Sequence, residues 1–178
     1  MYVTGGQYKG RKVSIPKSAK PTLSKVREST FNILGSYFIK NEGLIFLDLY
    51  SGSGIMSLEA ISRGYKTISV DKDKYAIKLI KENFKNVEGE YKIILDNAQS
   101  FIKKTTINPD IIYIDPPWED DYEKTINLCL EKFKNTIIII EYDKKRAQTF
   151  NEFYHKTITP FKEKVYGRCK LDFLKVPF

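Results

Sequence analysis

The run Asp115-Pro116-Pro117-Trp118 closes a short apolar segment and joins residue types that suit one chemistry. Asp115 offers carboxylate oxygens, and the two prolines offer carbonyl acceptors without an N–H donor of their own. Such acceptors can hold an exocyclic amine of a nucleic-acid base and favour the pyramidal nitrogen that attacks a methyl sulfonium. Attack makes the proton on nitrogen acidic, so Asp115 can accept or relay it. Because Trp118 offers a ring face for base stacking, these four residues are the predicted catalytic centre.

A second candidate site is a loop that contains two glycines and lies between an apolar run and a helical pattern. Its sequence is Asp48-Leu49-Tyr50-Ser51-Gly52-Ser53-Gly54. A loop that follows a strand of a parallel sheet lies where ligands bind, and glycine lets the backbone approach them. A dinucleotide fingerprint would need a third glycine at position 57, where the chain has Ser57. The phosphate-binding motif GxxxxGKS/T does not occur either, which disfavours a nucleotide phosphate.

The acid that precedes this loop favours S-adenosylmethionine as the ligand. That cofactor carries a methionyl ammonium group and no phosphate, which suits a carboxylate at Asp48. Asp71 follows about 20 residues on, where a carboxylate can accept both ribose hydroxyl groups. Asn97 offers a donor and an acceptor to the adenine edge. The predicted cofactor-binding residues are Asp48, Tyr50, Ser51, Gly52, Gly54, Asp71 and Asn97.

Alternation of β-rich runs with helical patterns from residue 44 onward predicts the scaffold for these sites. Nearly unbroken apolar runs are typical of central parallel strands that helices cover on both faces. The predicted central strands are 44–49, 111–114 and 137–140, and the predicted strands on one side are 67–70 and 91–95. Apolar spacings of three and four predict helices over 55–63, 74–84, 122–133 and 144–154.

The C-terminal segment breaks this alternation. Residues 157–166 and 169–176 are two strand-like runs joined at Gly167-Arg168, so the last strand should enter the sheet antiparallel. An α/β Rossmann-like sheet with such a strand is the arrangement of class I S-adenosylmethionine-dependent methyltransferases, by analogy at the level of the fold. Residues 44–178 are therefore the predicted methyltransferase domain.

Residues 1–43 form an N-terminal extension, predicted as a small basic hairpin within 2–15 and a helix over 22–40. The whole chain carries 30 Lys and Arg against 22 Asp and Glu, a net charge of +8 that favours a polyanionic partner. Lys9, Arg11 and Lys12 are the predicted contacts to an RNA backbone, and the extension is expected to pack on the core.

Other partners are disfavoured by composition. Cys129 and Cys169 are far apart, without a CxxC spacing, so neither a disulfide framework nor a metal site is expected. No apolar stretch approaches the roughly 20 residues that span a bilayer, and the N-terminus lacks a signal-peptide pattern. We therefore expect a cytoplasmic protein without a membrane partner.

At these motifs the sequence resembles the RsmD-type methyltransferases, which methylate the 2-amino group of a guanine in small-subunit (16S) ribosomal RNA. The resemblance covers nearly the whole chain. It lies in Gly5 to Lys12 with the pattern GGxxxGRK, Pro21-Thr22, Val26-Arg27-Glu28, Phe31-Asn32, the Asp48 to Gly54 loop, Asn97-Ala98 and Asp115-Pro116-Pro117. It implies cofactor binding by the Gly52 loop, Asp71 and Asn97, and catalysis by Asp115 with the two prolines. Trp118 departs from the Phe or Tyr of most relatives, and tryptophan there also occurs in enzymes that act on adenine or cytosine amines.

The expectation is therefore S-adenosylmethionine-dependent methylation of a guanine in ribosomal RNA, with the target presented by a small-subunit assembly particle. Two alternatives stay open. One is an adenine amino-methyltransferase that acts on RNA or DNA. The lack of a target-recognition domain counts against a sequence-specific DNA enzyme. The other is a non-catalytic RNA-binding or ribosome assembly protein that retains the fold.

Overall fold

The computed structural model describes residues 1–16, 22–117, 121–146 and 158–177. Its single sheet has seven strands in the order β3-β2-β1-β4-β5-β7-β6. The strands are β1 Ile45–Asp48, β2 Lys66–Asp71, β3 Tyr91–Leu95, β4 Ile111–Ile114, β5 Thr136–Asp143, β6 Lys162–Tyr166 and β7 Cys169–Val176. The helices are α1 Ser24–Tyr37, α2 Ile55–Ile61, α3 Lys74–Asn83, α4 Ala98–Lys104 and α5 Tyr122–Lys132, and a 3₁₀ turn covers Lys144–Arg146.

The α/β class I arrangement and the antiparallel last strand are confirmed. Strands β1 to β5 are mutually parallel, and β7 runs antiparallel to β5 and to β6. Strand β6 therefore points the same way as β5. The ends of β1 to β6 that follow the chain direction lie along one side of the sheet, here called the carboxyl edge, and their beginnings form the amino edge.

Several sequence-based bounds differ from the structure. Helix α4 was missed because its seven residues are too short for a clear apolar period. Strand β6 begins at Lys162 and not near residue 157, because Pro160 has no N–H to give to a neighbouring strand. Of the predicted helix 144–154, only the 3₁₀ turn falls within the described residues, and Trp118 lies outside them.

Helices cover both faces of the sheet, as the apolar strands predicted. Successive strand residues point to opposite faces, so Phe46 joins one hydrophobic cluster and Leu47 the other. The first cluster receives α1, α2 and α3, for example through Leu34, Leu58 and Ile80. The second receives α4 and α5. The hydrophobic clusters on the two faces therefore fix the positions of the strands whose ends form the carboxyl edge.

The first part of the N-terminal extension, residues 1–16, packs against the helices that cover the α1 face of the sheet. Tyr2 and Lys12 form a single antiparallel bridge there, and not a regular two-stranded hairpin. Val3 and Val13 are buried in the first hydrophobic cluster. At Gly6, with φ of 76°, a Cβ would lie 1.9 Å from the carbonyl oxygen of Ser62. Only glycine allows this close approach, which explains one residue of the GGxxxGRK pattern.

A buried ion-pair network ties the extension and α1 to α2. Arg27 and Glu59 are 1% and 0% exposed, and Arg27 Nε donates to Glu59 Oε1 over 2.9 Å. Glu59 also accepts from Arg63 and from the amide and hydroxyl of Thr4. The guanidinium of Arg27 further donates to the carbonyl of Tyr2. A buried charge needs this many partners, which explains why an arginine stands within the helical Val26-Arg27-Glu28 motif.

Candidate active site

Carboxylates gather at the carboxyl edge, where neighbouring strands end. Asp48 and Asp71 are the last residues of β1 and β2, and Asp115 directly follows β4. Since β2, β1 and β4 are adjacent in the sheet, these three acids lie at consecutive strand ends. Glu141 extends this row, because it follows Ile140, which pairs with Ile114. The structure thus brings together the acids of both predicted sites.

The loop after β1 is fixed to its neighbouring strands by backbone hydrogen bonds. The amide of Ser51 donates to the carbonyl of Val70 over 3.1 Å, and its hydroxyl donates to the carbonyl of Asp48. Gly54 has φ of 77°, and a Cβ there would lie 3.1 Å from side-chain atoms of Ile80 and Phe84. A Cβ at Gly52 would meet nothing within 4 Å. The loop therefore has a rigid base and an open upper side that a ligand can approach.

Asp48 lies beneath this loop, with 2% exposure. The Ser57 hydroxyl donates to Asp48 Oδ2 over 2.8 Å, and Ser69 donates to Ser57. Burial raises the pKa of Asp48 to about 7, while the donors from Ser57 and the Tyr50 amide lower it. One carboxylate thus joins the start of the loop to α2. This bracing role was not foreseen from the sequence, and contact with a cofactor ammonium stays a prediction.

Asp71 braces the same loop from β2. Its Oδ2 accepts the amide of Gly52 over 2.8 Å, and its Oδ1 accepts the amide of Asp73 over 2.9 Å. Each carboxylate oxygen has a second lone pair. The carboxylate can therefore hold the glycine loop and still accept ribose hydroxyl groups.

Asn97 and Tyr50 also have structural partners. The Oδ1 of Asn97 accepts the amides of Gln99 and Ser100, so this side chain caps α4. Its amide nitrogen is the group that could reach an adenine. The Tyr50 hydroxyl lies 2.9 Å from the Thr125 hydroxyl, which links the loop to α5.

Asp96, next to Asn97, was overlooked in the sequence. It accepts the Asn97 amide over 2.8 Å and pairs with Lys104 at 3.5 Å. Burial raises the pKa of Asp96, but hydrogen bonds from Ser100 and Asn97 and the charge of Lys104 outweigh burial and lower it. Asp96 therefore keeps an ionised acceptor at the end of β3.

Asp115 and the prolines leave β4 at the carboxyl edge, with Asp115 and Pro116 half-buried and Pro117 exposed. Tyr113, two residues before Asp115, lies on the same face of the strand. Burial, then the negative charges of Glu141 and Asp115, raise the pKa of Tyr113 well above its ordinary value. The phenol therefore stays protonated beside both carboxylates.

Glu141 is held beside Asp115 by two donors. The Tyr113 hydroxyl donates to Glu141 Oε2. The Cys169 thiol donates to Glu141 Oε1 over 3.2 Å. Glu141 has one signal in the sequence, its position after the apolar run 137–140, from which it could approach the substrate. The site therefore contains two adjacent carboxylates on the α1 face of the sheet.

The three cations predicted to contact RNA lie apart from Asp115. Lys9 and Lys12 are exposed. Tyr8, next to Lys9, bonds through its hydroxyl to the Glu88 amide, which precedes β3 at the amino edge. A five-residue strand spans roughly 17 Å, so Lys9 lies far from the carboxyl edge.

Arg11 is different from the two lysines. Its guanidinium donates to the backbone carbonyls of Asn83, over 3.1 Å, and Lys85, and it lies over the Tyr8 ring. Arg11 therefore fastens the extension to the end of α3. Contact between these three side chains and RNA stays a prediction.

Within the described ranges, no group of three or more His, Cys, Asp or Glu side chains could hold a metal ion. None of the helices in the described part of the chain is long and apolar enough to cross a bilayer.

Comparison with known proteins agrees with this fold. The family model described as conserved hypothetical protein 95 matches residues 1–175. Ribosomal RNA small subunit methyltransferase D of Buchnera aphidicola is 38% identical over 157 residues, which cover 83% of this chain and 80% of that protein. The structure of YhhF from Escherichia coli matches with a TM-score of 0.82, 25% identity and coverage of 99% and 98%. Precorrin-6Y C5,15-methyltransferase of Geobacter metallireducens, at 15% identity, shares the fold alone, with a TM-score of 0.71 and coverage of 93% and 94%. With its family match, its Buchnera relative and the acids and glycine loop at its carboxyl edge, the chain belongs to the RsmD-type family of S-adenosylmethionine-dependent methyltransferases.

Proposed function

We propose that this enzyme methylates the exocyclic 2-amino group of a guanine in small-subunit ribosomal RNA, with S-adenosylmethionine as the methyl donor. The observation that carries the choice of base is the pair of neighbouring carboxylates, Asp115 directly after β4 and Glu141 in the last part of β5. The RNA substrate is supported by the Buchnera relative, named as a small-subunit ribosomal RNA methyltransferase.

Two carboxylates suit guanine because ionised carboxylates only accept hydrogen bonds. Guanine offers two neighbouring donors on its Watson–Crick edge, the N1–H and the 2-amino group. The 2-amino group would face Asp115 and the Pro116 carbonyl, and the N1–H would face Glu141. Adenine has an acceptor at N1, which Glu141 would repel. The two carboxylates therefore favour guanine over adenine, even though enzymes that methylate adenine also have a tryptophan at the place that corresponds to Trp118.

The cofactor fits the open glycine loop. Asp71 is available to ribose hydroxyl groups, Asn97 Nδ2 and Asp96 to the adenine, and the backbone around Gly52 to the methionyl part. Asp48 would act chiefly from beneath, by holding the loop in shape. When bound, S-adenosylmethionine supplies an electrophilic methyl group on a sulfonium. The chain's own part is to orient the amine, exclude water around it and accept its proton at Asp115.

A target base inside a duplex cannot reach such a site and has to be extruded. The N-terminal extension places Lys9 at the amino edge of the sheet, at least the length of a strand away from Asp115. Recognition of a folded target, presented by ribosomal RNA with bound proteins, suits these dimensions better than reading of a short linear sequence.

Methyl transfer from labelled S-adenosylmethionine tests this function. Naked small-subunit ribosomal RNA, a short oligonucleotide and small-subunit assembly particles are offered at equal site concentration. We expect label in one guanine and the highest rate with the particles. Equal rates on all three substrates would remove the shaped-target part of the proposal, and no label in any RNA would remove the function itself.

A further inference from the structure

A groove separates α1 from the edge strand β6 on the α1 face of the sheet. Its volume is about 660 Å³. Neither wall belongs to the acids and glycine loop at the carboxyl edge, so the groove is distinct from the site described above. It is formed by the outer side of α1, including Lys25 and Tyr37, and by the inward-facing residues of β6, including Lys164 and Tyr166.

The side chains of the groove combine positive charge with aromatic rings. Lys25, Lys162 and Lys164 line it, and Glu28 is the single acidic residue among the described lining residues. Cations that neutralise phosphates dominate the affinity of proteins for nucleic acid. Three lysines against one acid therefore suit a polyanion and disfavour a basic protein segment.

Aromatic rings lie at both ends of the groove. Tyr37 and Phe161 contact each other with ring centroids 5.1 Å apart, and they are 42% and 40% exposed. Tyr166 lies half-buried at the other end. Exposed rings of this kind can stack against unpaired bases, and positively charged grooves with aromatic rings are typical of single-stranded nucleic-acid binding.

The groove leads towards Asp115. Lys164 pairs with Leu171, and Leu171 pairs with Glu141, so these residues form one row across β6, β7 and β5. Asp115 follows the pair of Ile114 and Ile140 and continues this row on β4. Neighbouring strands are about 4.8 Å apart, so Lys164 lies on the order of 14 Å from Asp115. Residues paired across strands share a face of the sheet, which puts both side chains on the α1 side.

The direction of α1 agrees with this path. The Lys175 ammonium lies 5.6 Å from the Tyr37 ring centroid, and Lys175 pairs with Ile137 near the start of β5. The end of α1 is therefore at the amino edge, and Lys25, in its first turn, points towards the carboxyl edge. The groove thus opens at the edge that holds Asp115 and descends along the sheet.

We propose that this groove binds the RNA strand next to the target nucleotide, with Lys25, Lys162 and Lys164 on its phosphates and the aromatic rings against its bases. The inference rests on the proposed function, since it concerns the RNA that the enzyme methylates. It assigns the substrate path to the β6 side of Asp115, in addition to the contacts proposed for Lys9, Arg11 and Lys12.

The test is a triple variant, Lys25→Gln, Lys162→Gln and Lys164→Gln, compared with a control of equal charge. Lys78→Gln, Lys92→Gln and Lys103→Gln remove three exposed lysines from α3, β3 and α4. Binding of a fluorescent small-subunit ribosomal RNA transcript is measured across salt concentrations. Loss of three contacts to a single strand should flatten the plot of log affinity against log salt by about 2 units. At low salt we expect at least tenfold weaker binding.

Two further measurements separate the possible failures. Calorimetry with S-adenosylhomocysteine should give the same affinity for wild type and both triple variants, which shows that the fold is intact. Lys→Arg changes at the same three groove positions should restore the salt slope. If the groove variant and the control show the same slope of log affinity against log salt, the groove does not bind this RNA and the proposal is overturned. A groove that binds a protein partner instead of RNA would give this result. Absence of methyl transfer by wild-type enzyme, with an intact salt effect, would remove only the proposed function.

Discussion

The hydroxyl of Tyr113 donates a hydrogen bond to Glu141 and so holds a second carboxylate beside Asp115. Burial and the charges of Glu141 and Asp115 raise the pKa of Tyr113 well above its ordinary value, so the phenol remains a donor at any physiological pH. Through this hydrogen bond, a buried residue of β4 positions the carboxylate that we propose selects the target base.

Glu141→Gln tests this selection. The amide of glutamine keeps one acceptor oxygen but loses the charge, and a hydrogen bond to a charged group contributes about 1.5 to 3 kcal/mol. We expect kcat/KM for guanine methylation to fall by one to two orders of magnitude, with unchanged affinity for S-adenosylhomocysteine. The matched control is Cys169→Ala, which removes the weaker thiol donor to Glu141 and should have a smaller effect. An unchanged kcat/KM for Glu141→Gln would exclude the carboxylate from base recognition.

Asp71→Ala should weaken cofactor binding in two ways. It removes the acceptors for ribose hydroxyl groups, and it releases the Gly52 amide from its 2.8 Å hydrogen bond. Asp71→Asn keeps one oxygen acceptor, so we expect an intermediate affinity for S-adenosylhomocysteine in calorimetry. Asp73→Ala is the control, because Asp73 caps α3 by accepting the Tyr75 amide. If Asp71→Ala and Asp73→Ala bind equally well, the ribose assignment is wrong.

Asp48 should make stability depend on pH. Its pKa in the folded protein is about 7, against 3.8 for an unperturbed aspartate, because burial favours the neutral form. Between pH 3.8 and about pH 7, Asp48 therefore holds a proton in the folded state that it has released in the unfolded state. Asp48 therefore stabilises the fold most below about pH 3.8, and this contribution is lost as the pH rises to about 7.

Asp48→Asn removes that titration and keeps an oxygen that can accept from Ser57. Urea unfolding between pH 4 and pH 8 should show that stability of the variant falls less with rising pH than stability of the wild type. The difference should reach a few kcal/mol, because each unit of pKa shift corresponds to about 1.4 kcal/mol. Parallel pH profiles for the two proteins would show that Asp48 is ionised throughout.

The pair of Arg27 and Glu59 should matter more for stability than any surface ion pair. Arg27→Ala leaves the fully buried Glu59 with fewer donors, and breaking a buried pair costs about 3 to 5 kcal/mol. Lys66→Ala breaks an exposed pair with Glu90 and should change stability by about 1 kcal/mol or less. Urea denaturation of both variants checks the contrast, and a similar small effect for Arg27→Ala would contradict it.

The cations of the extension should separate into two classes. Arg11→Ala should lower the unfolding free energy, because its guanidinium fastens the extension to carbonyls at the end of α3. Lys9→Ala and Lys12→Ala should leave stability within about 0.5 kcal/mol, as surface substitutions do. Each lysine that contacts phosphate should flatten the salt dependence of RNA binding by about 0.7 to 0.9 units. A normal fold with a flattened slope for Arg11→Ala would reverse this division.

The sequence indicated all seven strands and every described helix except α4, because periodicity and apolar runs are local signals. Ile111–Ile114 and the first residues of β5 read directly as buried strands. It also indicated Asp48, Asp71 and Asp115 as strand-end acids, since each directly follows such a run. What no local signal contains is the register between strands, which aligns Lys164 and Glu141 across β7.

The hydrogen bonds that these residues make to other parts of the protein could not be predicted for the same reason. Ser57 reads only as a missing glycine, yet it donates to Asp48 from α2. Arg11 reads as a free cation, yet its partners are backbone carbonyls 72 and 74 residues away in the chain. Contacts between residues so far apart in the chain form only when α2 and α3 pack against the N-terminal extension. No local pattern in the sequence predicts that packing.

Nucleoside mass spectrometry tests the central claim most directly. Small-subunit ribosomal RNA is incubated with S-adenosylmethionine and either the wild-type enzyme or Asp115→Ala, digested to nucleosides and analysed for each methylated base. The account predicts guanosine methylated on its 2-amino group with the wild type and none with Asp115→Ala, whose cofactor affinity stays within a few-fold. A methyl group on adenine, or native-rate transfer by Asp115→Ala, would contradict it.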